Sequence, residues 1–281
     1  MITWRELWVE TAERLGGAAN EARWICEEVT GARGVEWLDQ IDEPVGERAI
    51  ARLDAMVARR LAGEPLQYVL GSWAFRRVEL FVDHRVLIPR PETELVAEAA
   101  LELARAVPAP RTIVDLGTGS GAIGLSLAFE LPLDGTTVWC TDESSGALDV
   151  ARANLAGIGR HGVNVRLAEG SWFTALPDEL RGAVDVIVSN PPYIAPGDPA
   201  LESSVTEWEP AAALFSGDDG LEAVRAIVAD ARAWLRPGGA LVVEFGCTQG
   251  RAVAELASSA GFVSVEIRTD LAGLDRFLVA R

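Results

Sequence analysis

The sequence has few cysteines, few histidines and no long apolar run. Its 3 cysteines, Cys26, Cys140 and Cys247, are scattered and lack a C-x-x-C spacing, which argues against a disulfide framework or a zinc site. The 2 histidines have no histidine or cysteine nearby, so we expect no bound metal. No segment is long and apolar enough to cross a bilayer, and the first residues lack the features of a signal peptide. We therefore expect a cytoplasmic protein.

Positive charge is also scarce. The chain has 25 lysines and arginines against 42 aspartates and glutamates, which gives a formal net charge of -17. Loose binding to nucleic acid depends on contacts of lysine and arginine with phosphates, so this balance argues against a nucleic-acid substrate. The acidic charge would suit a basic protein partner, although solubility alone would also explain it.

The hydrophobic pattern changes along the chain. Before about residue 70, apolar residues recur at helical spacing, as in Glu47 to Leu61, and we predict a small helical domain over residues 1–74. Phe75 to Val86 is rich in β-favouring residues and predicts a hairpin, which would form a linker over residues 75–87. In the remaining domain, residues 88–281, strand patterns alternate with helix patterns.

Such alternation indicates an α/β fold with a mostly parallel sheet covered on both faces. The predicted strands cover residues 112–116, 137–141, 163–167, 184–188, 240–245, 263–268 and 276–280. A helix is predicted between most neighbouring strands, for example over residues 219–234.

A glycine-rich loop, residues 115–121 (DLGTGSG), follows the first of these strands and opens a helix. Glycines allow a ligand to approach the backbone closely, and the free N–H groups at a helix start favour a carboxylate. Asp115 could accept a hydrogen bond from an ammonium group, and Asp142, after the second strand, could bind ribose hydroxyls. The candidate cofactor-binding residues are Asp115, Gly117, Thr118, Gly119, Gly121 and Asp142. They suit S-adenosylmethionine, but residues 119–124 also match G-x-G-x-x-G, so a nicotinamide dinucleotide stays open here.

The motif Asn190-Pro191-Pro192-Tyr193 directly follows the strand at residues 184–188. Ligands of open α/β sheets bind at the carboxyl ends of strands, which places Asn190 beside the cofactor. An amide or amino-base nitrogen is a poor nucleophile because its lone pair is delocalised. The Asn190 side-chain oxygen and the Pro191 carbonyl could hold its two N–H groups and direct the lone pair toward a sulfonium methyl group. The prolines stiffen the loop and Tyr193 can pack against the target, which favours methyl transfer over nicotinamide chemistry.

Further motifs extend over nearly the whole chain. They are residues 63–71 (GEPLQYVLG), 86–94 (VLIPRPETE), 114–121, 187–194, 209–221, 237–239, 244–249 and 270–273. With these motifs the chain resembles the protein-(glutamine-N5) methyltransferases that modify peptide chain release factors. Asn-Pro-Pro-Tyr is shared with amino-methyltransferases of nucleic acids, whereas the first two segments are much more specific. Glu244, at a predicted strand end, could be a polar ligand, a packing residue or an exposed residue.

The resemblance implies a Rossmann-like class I methyltransferase domain with an N-terminal helical bundle that helps to dock the release factor. It implies methyl transfer from S-adenosylmethionine to the side-chain nitrogen N5 of the glutamine in a Gly-Gly-Gln loop, leaving S-adenosylhomocysteine. Class 1 peptide chain release factors would be the partners, and we expect a monomer.

The resemblance also implies residue roles. The loop glycines would contact the donor, Asp142 its ribose and Trp172 its adenine region. Ser171 stands where members often have an acidic residue, and a serine could still hydrogen-bond adenine. Asn190 would lie between the donor and the target amide. The expected target-binding residues are Pro89, Arg90, Glu92, Asn190, Pro191, Pro192 and Tyr193, of which Asn190, Pro191 and Tyr193 are expected to be catalytic.

Three other functions stay open. A ribosomal-protein glutamine methyltransferase would share the pocket and differ in its helical domain. A nucleic-acid amino-methyltransferase would need a basic face and usually a target-recognition domain. The acidic charge argues against both. A non-enzymatic assembly module would bind the donor without turnover, which the intact glycine loop and Asn190 argue against.

Overall fold

The computed structural model describes residues 2–199, 201 and 203–281, without the side chain of Ser203. The chain divides into two compact units, and the division falls between Ser72 and Trp73. None of the helices in the described part of the chain combines the length and the apolar character that crossing a bilayer requires.

The first unit is helical, as its sequence pattern predicts. Its helices are α1 (Trp4–Arg14), α2 (Ala19–Thr30), α3 (Val35–Gln40), α4 (Glu47–Leu61) and α5 (Leu66–Leu70). Thr3 and Glu6 form a capping box at the start of α1, which supplies partners for the backbone N–H groups that begin a helix. Apolar side chains from each helix meet in one core that includes Leu7, Ile25, Trp37, Leu53 and Val69.

The hairpin lies earlier in the chain than predicted. Strands β1 (Ser72–Phe75) and β2 (Val78–Phe81) form a two-stranded sheet, whereas the sequence pattern placed the hairpin at residues 75–86. The turn between them contains Arg76, which has a φ of 52°, and no glycine or asparagine marks it in the sequence. After β2, the Asp83 side chain accepts from the Arg85 backbone N–H at 3.0 Å and makes a turn instead of a strand.

The second unit contains a seven-stranded sheet, which confirms the α/β class. The strands are β3 (Arg111–Leu116), β4 (Thr136–Asp142), β5 (Val165–Glu169), β6 (Val184–Ser189), β7 (Leu235–Glu244), β8 (Val265–Thr269) and β9 (Asp275–Ala280). Their order is β5-β4-β3-β6-β7-β9-β8. The pairs from β5 to β7 are parallel, and β9 is antiparallel to both of its neighbours.

Several element boundaries differ from the sequence prediction. Strand β7 begins at Leu235 instead of residue 240, and β8 begins at Val265 instead of residue 263. Strand β5 begins at Val165, because a 3-10 turn over Gly159–Gly162 precedes it and leaves the side chain of Val163 exposed. The helix predicted from residue 219 begins at Glu222, because the Asp219 side chain accepts from the Leu221 backbone N–H at 3.1 Å and closes a turn there.

Seven α-helices are described in the second unit, and several of them pack on the sheet. They are α6 (Thr93–Ala106), α7 (Ala122–Glu130), α8 (Ser145–Gly157), α9 (Ser203–Trp208), α10 (Ala211–Leu214), α11 (Glu222–Trp234) and α12 (Gly250–Ser259). Helix α6 packs against β6 and β7, and α7 packs against β3 and β4. Every residue of β6 is buried, so both faces of the sheet are covered at this strand. The carboxyl ends of the central strands are therefore held by a rigid core.

Gly124 has a packing role in this core. A Cβ atom at this position would overlap the sulfur atom of Cys140 on β4 and lie 3.2 Å from the Cβ atom of Asp115 on β3. The absence of a side chain therefore allows α7 to approach the sheet closely. The last glycine of the G-x-G-x-x-G match serves helix–strand packing here.

We predict that Gly124→Ala lowers the free energy of unfolding by about 1–3 kcal/mol, because the added methyl group overpacks the contact of α7 with β4. Gly157→Ala is the matched control, since that exposed helical glycine has open space around it, and it should be neutral or stabilising by up to about 1 kcal/mol. Urea unfolding followed by circular dichroism measures both changes. Equal stabilities of the two variants would show that the space around Gly124 is not limiting.

Candidate active site

A cavity of about 180 Å³ opens at the carboxyl ends of β3, β4, β5 and β6. Its wall is built by the loops that follow these strands, by the segment before α6 and by residues near α10. All of these segments belong to the second unit. This is the position at which open α/β sheets bind ligands, because the strand order reverses beside the first strand of the domain.

The structure brings most of the sequence-predicted site residues to this cavity. Those on its wall are Pro89, Asp115, Gly117, Thr118, Gly119, Asp142, Ser171, Trp172, Asn190 and Pro192. Five predicted residues do not line it: Arg90, Glu92, Gly121, Pro191 and Tyr193. Gly121 instead precedes the first residue of α7 with a φ of 86°, a backbone conformation that glycine adopts without strain.

The Asp115 carboxyl group is buried beside the glycine loop. Its Oδ2 atom accepts from the Thr118 hydroxyl at 2.6 Å and from the Gly124 backbone N–H at 2.9 Å. Its Oδ1 atom is buried and has no hydrogen-bond partner among the described residues. Burial raises the pKa of this carboxyl to about 7. A buried acceptor without a donor costs free energy, so the site fits a cationic group such as the ammonium of S-adenosylmethionine.

Asp142 ties the glycine loop to the end of β4. Its two carboxylate oxygens accept from the backbone N–H groups of Gly119 and Ser144, each at 2.9 Å. Burial raises the pKa of Asp142, and these backbone donors oppose the rise. A carboxylate has about four acceptor positions, so Asp142 retains the capacity to accept from ribose hydroxyls.

Trp172 packs directly on the glycine loop. A Cβ atom at Gly117 would lie 3.3 Å from the Trp172 ring, so only a glycine permits this approach without displacement. Trp172 itself has a φ of 46°, which is uncommon for a residue with a side chain, and it lies on the cavity wall. Ser171 lies beside it on the wall. The indole provides a flat apolar surface for a planar ring.

A chain of hydrogen bonds runs from Asn190 into the protein interior. The Asn190 Nδ2 group donates to Thr93 Oγ1 at 3.1 Å, and Thr93 Oγ1 donates to Glu244 Oε2 at 2.7 Å. The Tyr193 hydroxyl donates to the other oxygen, Glu244 Oε1, at 3.2 Å. Burial raises the pKa of Glu244 to about 7. Because Nδ2 is engaged by Thr93, the Asn190 Oδ1 atom is left to accept from a ligand.

Sequence reasoning missed Thr93 and left Glu244 undecided. Thr93 lines the cavity, and Glu244 is buried behind it at the end of β7. A signal for Thr93 was present, since it belongs to the specific segment at residues 86–94 and opens α6. Nothing in the sequence signals the contact with Glu244, because 151 positions separate the two residues.

A buried glutamate holds two parts of the wall together. Glu209 accepts from the Ile88 backbone N–H at 3.0 Å and from Arg90 at 2.5 Å. Pro89 and Pro210, which flank these contacts, both line the cavity. On the other side, Ile194 forms an isolated β-bridge with Phe215, with its backbone N–H 2.9 Å from the Leu214 carbonyl oxygen. Because its guanidinium group is held by Glu209, Arg90 supports the cavity wall without lining the cavity.

The fold and this site define a methyltransferase. Two family models match the chain, the PrmC N-terminal domain over residues 6–71 and the methyltransferase small domain over residues 95–207. A solved structure of similar fold is the 16S rRNA N2 G1207 methyltransferase of T. thermophilus, with a TM-score of 0.51 and 20% identity. That match covers 75% of this chain and 49% of the other.

Curated relatives identify the family. The release factor glutamine methyltransferase of Burkholderia pseudomallei is 44% identical over 92% of this chain and 90% of its own length. That of Geobacter sulfurreducens is 40% identical over 93% of this chain and 88% of its own. The chain belongs to the release factor glutamine methyltransferase family. This confirms the resemblance found in the sequence and S-adenosylmethionine as the methyl donor.

We predict that Asp115→Asn weakens the binding of S-adenosylmethionine about tenfold or more at pH 7.5, because the amide lacks the charge that pairs with the donor's ammonium. In the wild type, this contact needs the ionised carboxyl, whose pKa is about 7. The affinity of the wild type should therefore rise several-fold from pH 6 to pH 7.5, and that of the variant should not. Isothermal titration calorimetry at both pH values measures the difference.

The control is Asp149→Asn, which removes an exposed carboxylate that pairs with Arg152. Asp149 does not line the cavity, so this variant should bind the donor like the wild type at both pH values. Wild-type affinity in Asp115→Asn would contradict the role of Asp115.

Proposed function

We propose that the protein transfers a methyl group from S-adenosylmethionine to the side-chain nitrogen N5 of the glutamine in the Gly-Gly-Gln motif of peptide chain release factors. The observation that carries this proposal is the position of Asn190 on the cavity wall, with its Nδ2 group donating to Thr93 and its Oδ1 atom left as an acceptor. A planar amide such as that of glutamine offers the two N–H groups that such an acceptor binds. The names of the curated relatives support the same target.

The donor-binding half of the site consists of the residues around the glycine loop. Asp115 would accept from the ammonium group, and Asp142 from the ribose hydroxyls. Trp172 and Ser171 would border the adenine region. When bound, the donor supplies an electrophilic methyl group on a sulfonium sulfur.

The residues at the end of β6 would bind and orient the target. The Asn190 Oδ1 atom and the Pro191 carbonyl accept the two N–H groups of the glutamine amide and turn its lone pair toward the methyl group. Fixed acceptors are worth most here because they need no reorganisation during the reaction. No strong base is required, since the amide nitrogen becomes acidic as the new bond forms. The proton that it loses would pass to water, and S-adenosylhomocysteine would leave as the other product.

The rest of the target pocket would be shaped by rigid residues. Pro89 and Pro192 line the cavity and limit the paths of their loops. Arg90 is held by Glu209, and Tyr193 by Glu244, so both support the wall rather than contact the target freely. Glu92, which adjoins Thr93, would add negative charge near the pocket.

We further propose that the helical unit, which ends at Ser72, docks the release factor, and that the segment containing the hairpin at residues 72–81 joins it to the catalytic domain. The net charge of -17 supports a basic protein partner and argues against a nucleic-acid substrate. Class 1 release factors are the proposed partners. The protein would act as a monomer in the cytoplasm.

The test is mass spectrometry of an unmethylated release factor after incubation with the protein and S-adenosylmethionine. We expect one methyl group, mapped to the glutamine of the Gly-Gly-Gln motif. Asn190→Ala should bind the donor normally and lose methyl transfer by about 100-fold or more, the usual cost of removing one preorganised contact to a reacting group.

Asn164→Ala is the matched control, because Asn164 donates to the Leu133 carbonyl outside the cavity and should leave transfer unchanged. Full transfer by Asn190→Ala would refute the role of that residue. If the wild type binds the donor and leaves the glutamine unmodified, the target must be another molecule, and a ribosomal protein or a nucleic acid should then be tried as the acceptor.

A further inference from the structure

An asparagine side chain can face a ligand in two ways. Its oxygen and its NH₂ group have nearly the same shape, so hydrogen-bond partners decide which end points where. Binding of the N–H groups of an amide needs the Asn190 Oδ1 atom. A reversed Asn190 would place its own N–H groups against those of the target, and the site would lose its acceptor.

Thr93 is the neighbour that determines which end of the Asn190 side chain faces the target. It is buried, its Oγ1 atom lies 3.1 Å from Asn190 Nδ2, and the same atom lies 2.7 Å from Glu244 Oε2. A threonine hydroxyl has one proton to donate and lone pairs with which to accept. An ionised carboxylate can only accept, so the Thr93 proton points to Glu244 and a lone pair of Thr93 faces Asn190.

We propose that Thr93 and the ionised Glu244 are positioning residues, which together fix the Asn190 side chain with its oxygen toward the target amide. This inference rests on the proposed function, because it explains how the acceptor for the target is oriented. Neither residue needs to contact the reacting atoms. Their effect is transmitted through two hydrogen bonds.

Protonation of Glu244 reverses this order. A neutral carboxylic acid can donate to Thr93 Oγ1, which then turns its own proton to Asn190 and selects Oδ1 as its partner. The Asn190 NH₂ group would then face the target. Transfer should therefore fall as the pH decreases through the range in which Glu244 gains a proton.

The groups around Glu244 set that range. Burial raises its pKa to about 7, whereas the hydrogen bonds from Thr93 and Tyr193 and the positive charge of Arg276 on β9 lower it. The charge of Glu92, just before α6, raises it. Together these groups leave the titration of Glu244 near neutral pH.

The first experiment compares kcat at saturating donor and release factor over pH 6 to 8. Thr93→Val keeps the shape of the side chain without the hydroxyl and should lower kcat about tenfold or more. Thr93→Ser restores the hydroxyl and should recover kcat to within about threefold of the wild type. Glu244→Gln has no carboxyl group to titrate at this position, so its kcat should no longer fall below pH 7.

Thr136→Val is the matched control, because Thr136 is also a buried threonine but its hydroxyl has no hydrogen-bond partner among the described residues. It lies outside the cavity and should leave both kcat and its pH profile unchanged. Wild-type kcat in Thr93→Val, or a wild-type pH profile in Glu244→Gln, would overturn the proposal.

A second measurement needs no release factor. The side-chain N–H signals of Asn190, assigned by their loss in Asn190→Ala, are followed by ¹⁵N NMR over the same pH range. We expect them to titrate in the wild type and not in Glu244→Gln. Signals that do not move in the wild type would also overturn the proposal. If they titrate as expected while the glutamine stays unmethylated, the positioning role stands and the proposed substrate is wrong.

Discussion

The parallel register of the central strands is the constraint on which the site depends. Asp115 on β3 is paired with Cys140 on β4 and with Val188 on β6, so the three strands end at nearly the same level. The Ser189 hydroxyl donates to the Leu116 carbonyl at 2.7 Å and connects the ends of β3 and β6 directly. A shift of one residue in this register would turn alternate side chains to the other face of the sheet. The glycine-rich loop after β3 and the Asn190 loop after β6 are adjacent because neither strand can slide.

Buried carboxyl groups serve two different purposes in this domain. Asp185 is buried and accepts from the Thr112 backbone N–H and from Arg236, and Glu209 is similarly satisfied by Ile88 and Arg90. These groups join segments of the fold. Asp115 and Glu244 are buried with their pKa values raised to about 7, a cost that a purely structural role does not explain. Perturbed carboxyl groups of this kind cluster at functional sites, and here Asp115 lines the cavity and Glu244 lies directly behind its wall.

The sequence was sufficient to predict the fold class and the two loops that border the cavity. One buried strand is followed by glycines and another by Asn-Pro-Pro-Tyr, and both are local patterns. Because the two strands are parallel, their carboxyl ends and the loops that follow them meet at the same edge of the sheet. The hairpin was misplaced because its turn at Arg76 carries no residue typical of turns. The hydrogen bonds that link Asn190 to Thr93 and Thr93 to Glu244 could not be predicted from the sequence, for a different reason. They depend on contacts between distant segments, and a lone glutamate at a strand end has no pattern that distinguishes a buried partner from an exposed one.

Two sets of contacts fix the segment that joins Asn190 to α11. The bridge from Ile194 to Phe215 closes it on one side, and the bonds of Glu209 to Ile88 and Arg90 secure it on the other. The stretch over residues 195–208 lies between these anchors along the chain. Its length and composition can therefore diverge among homologues while Asn190 keeps its place. A change in this stretch is thus separable from a change in the cavity wall at Asn190.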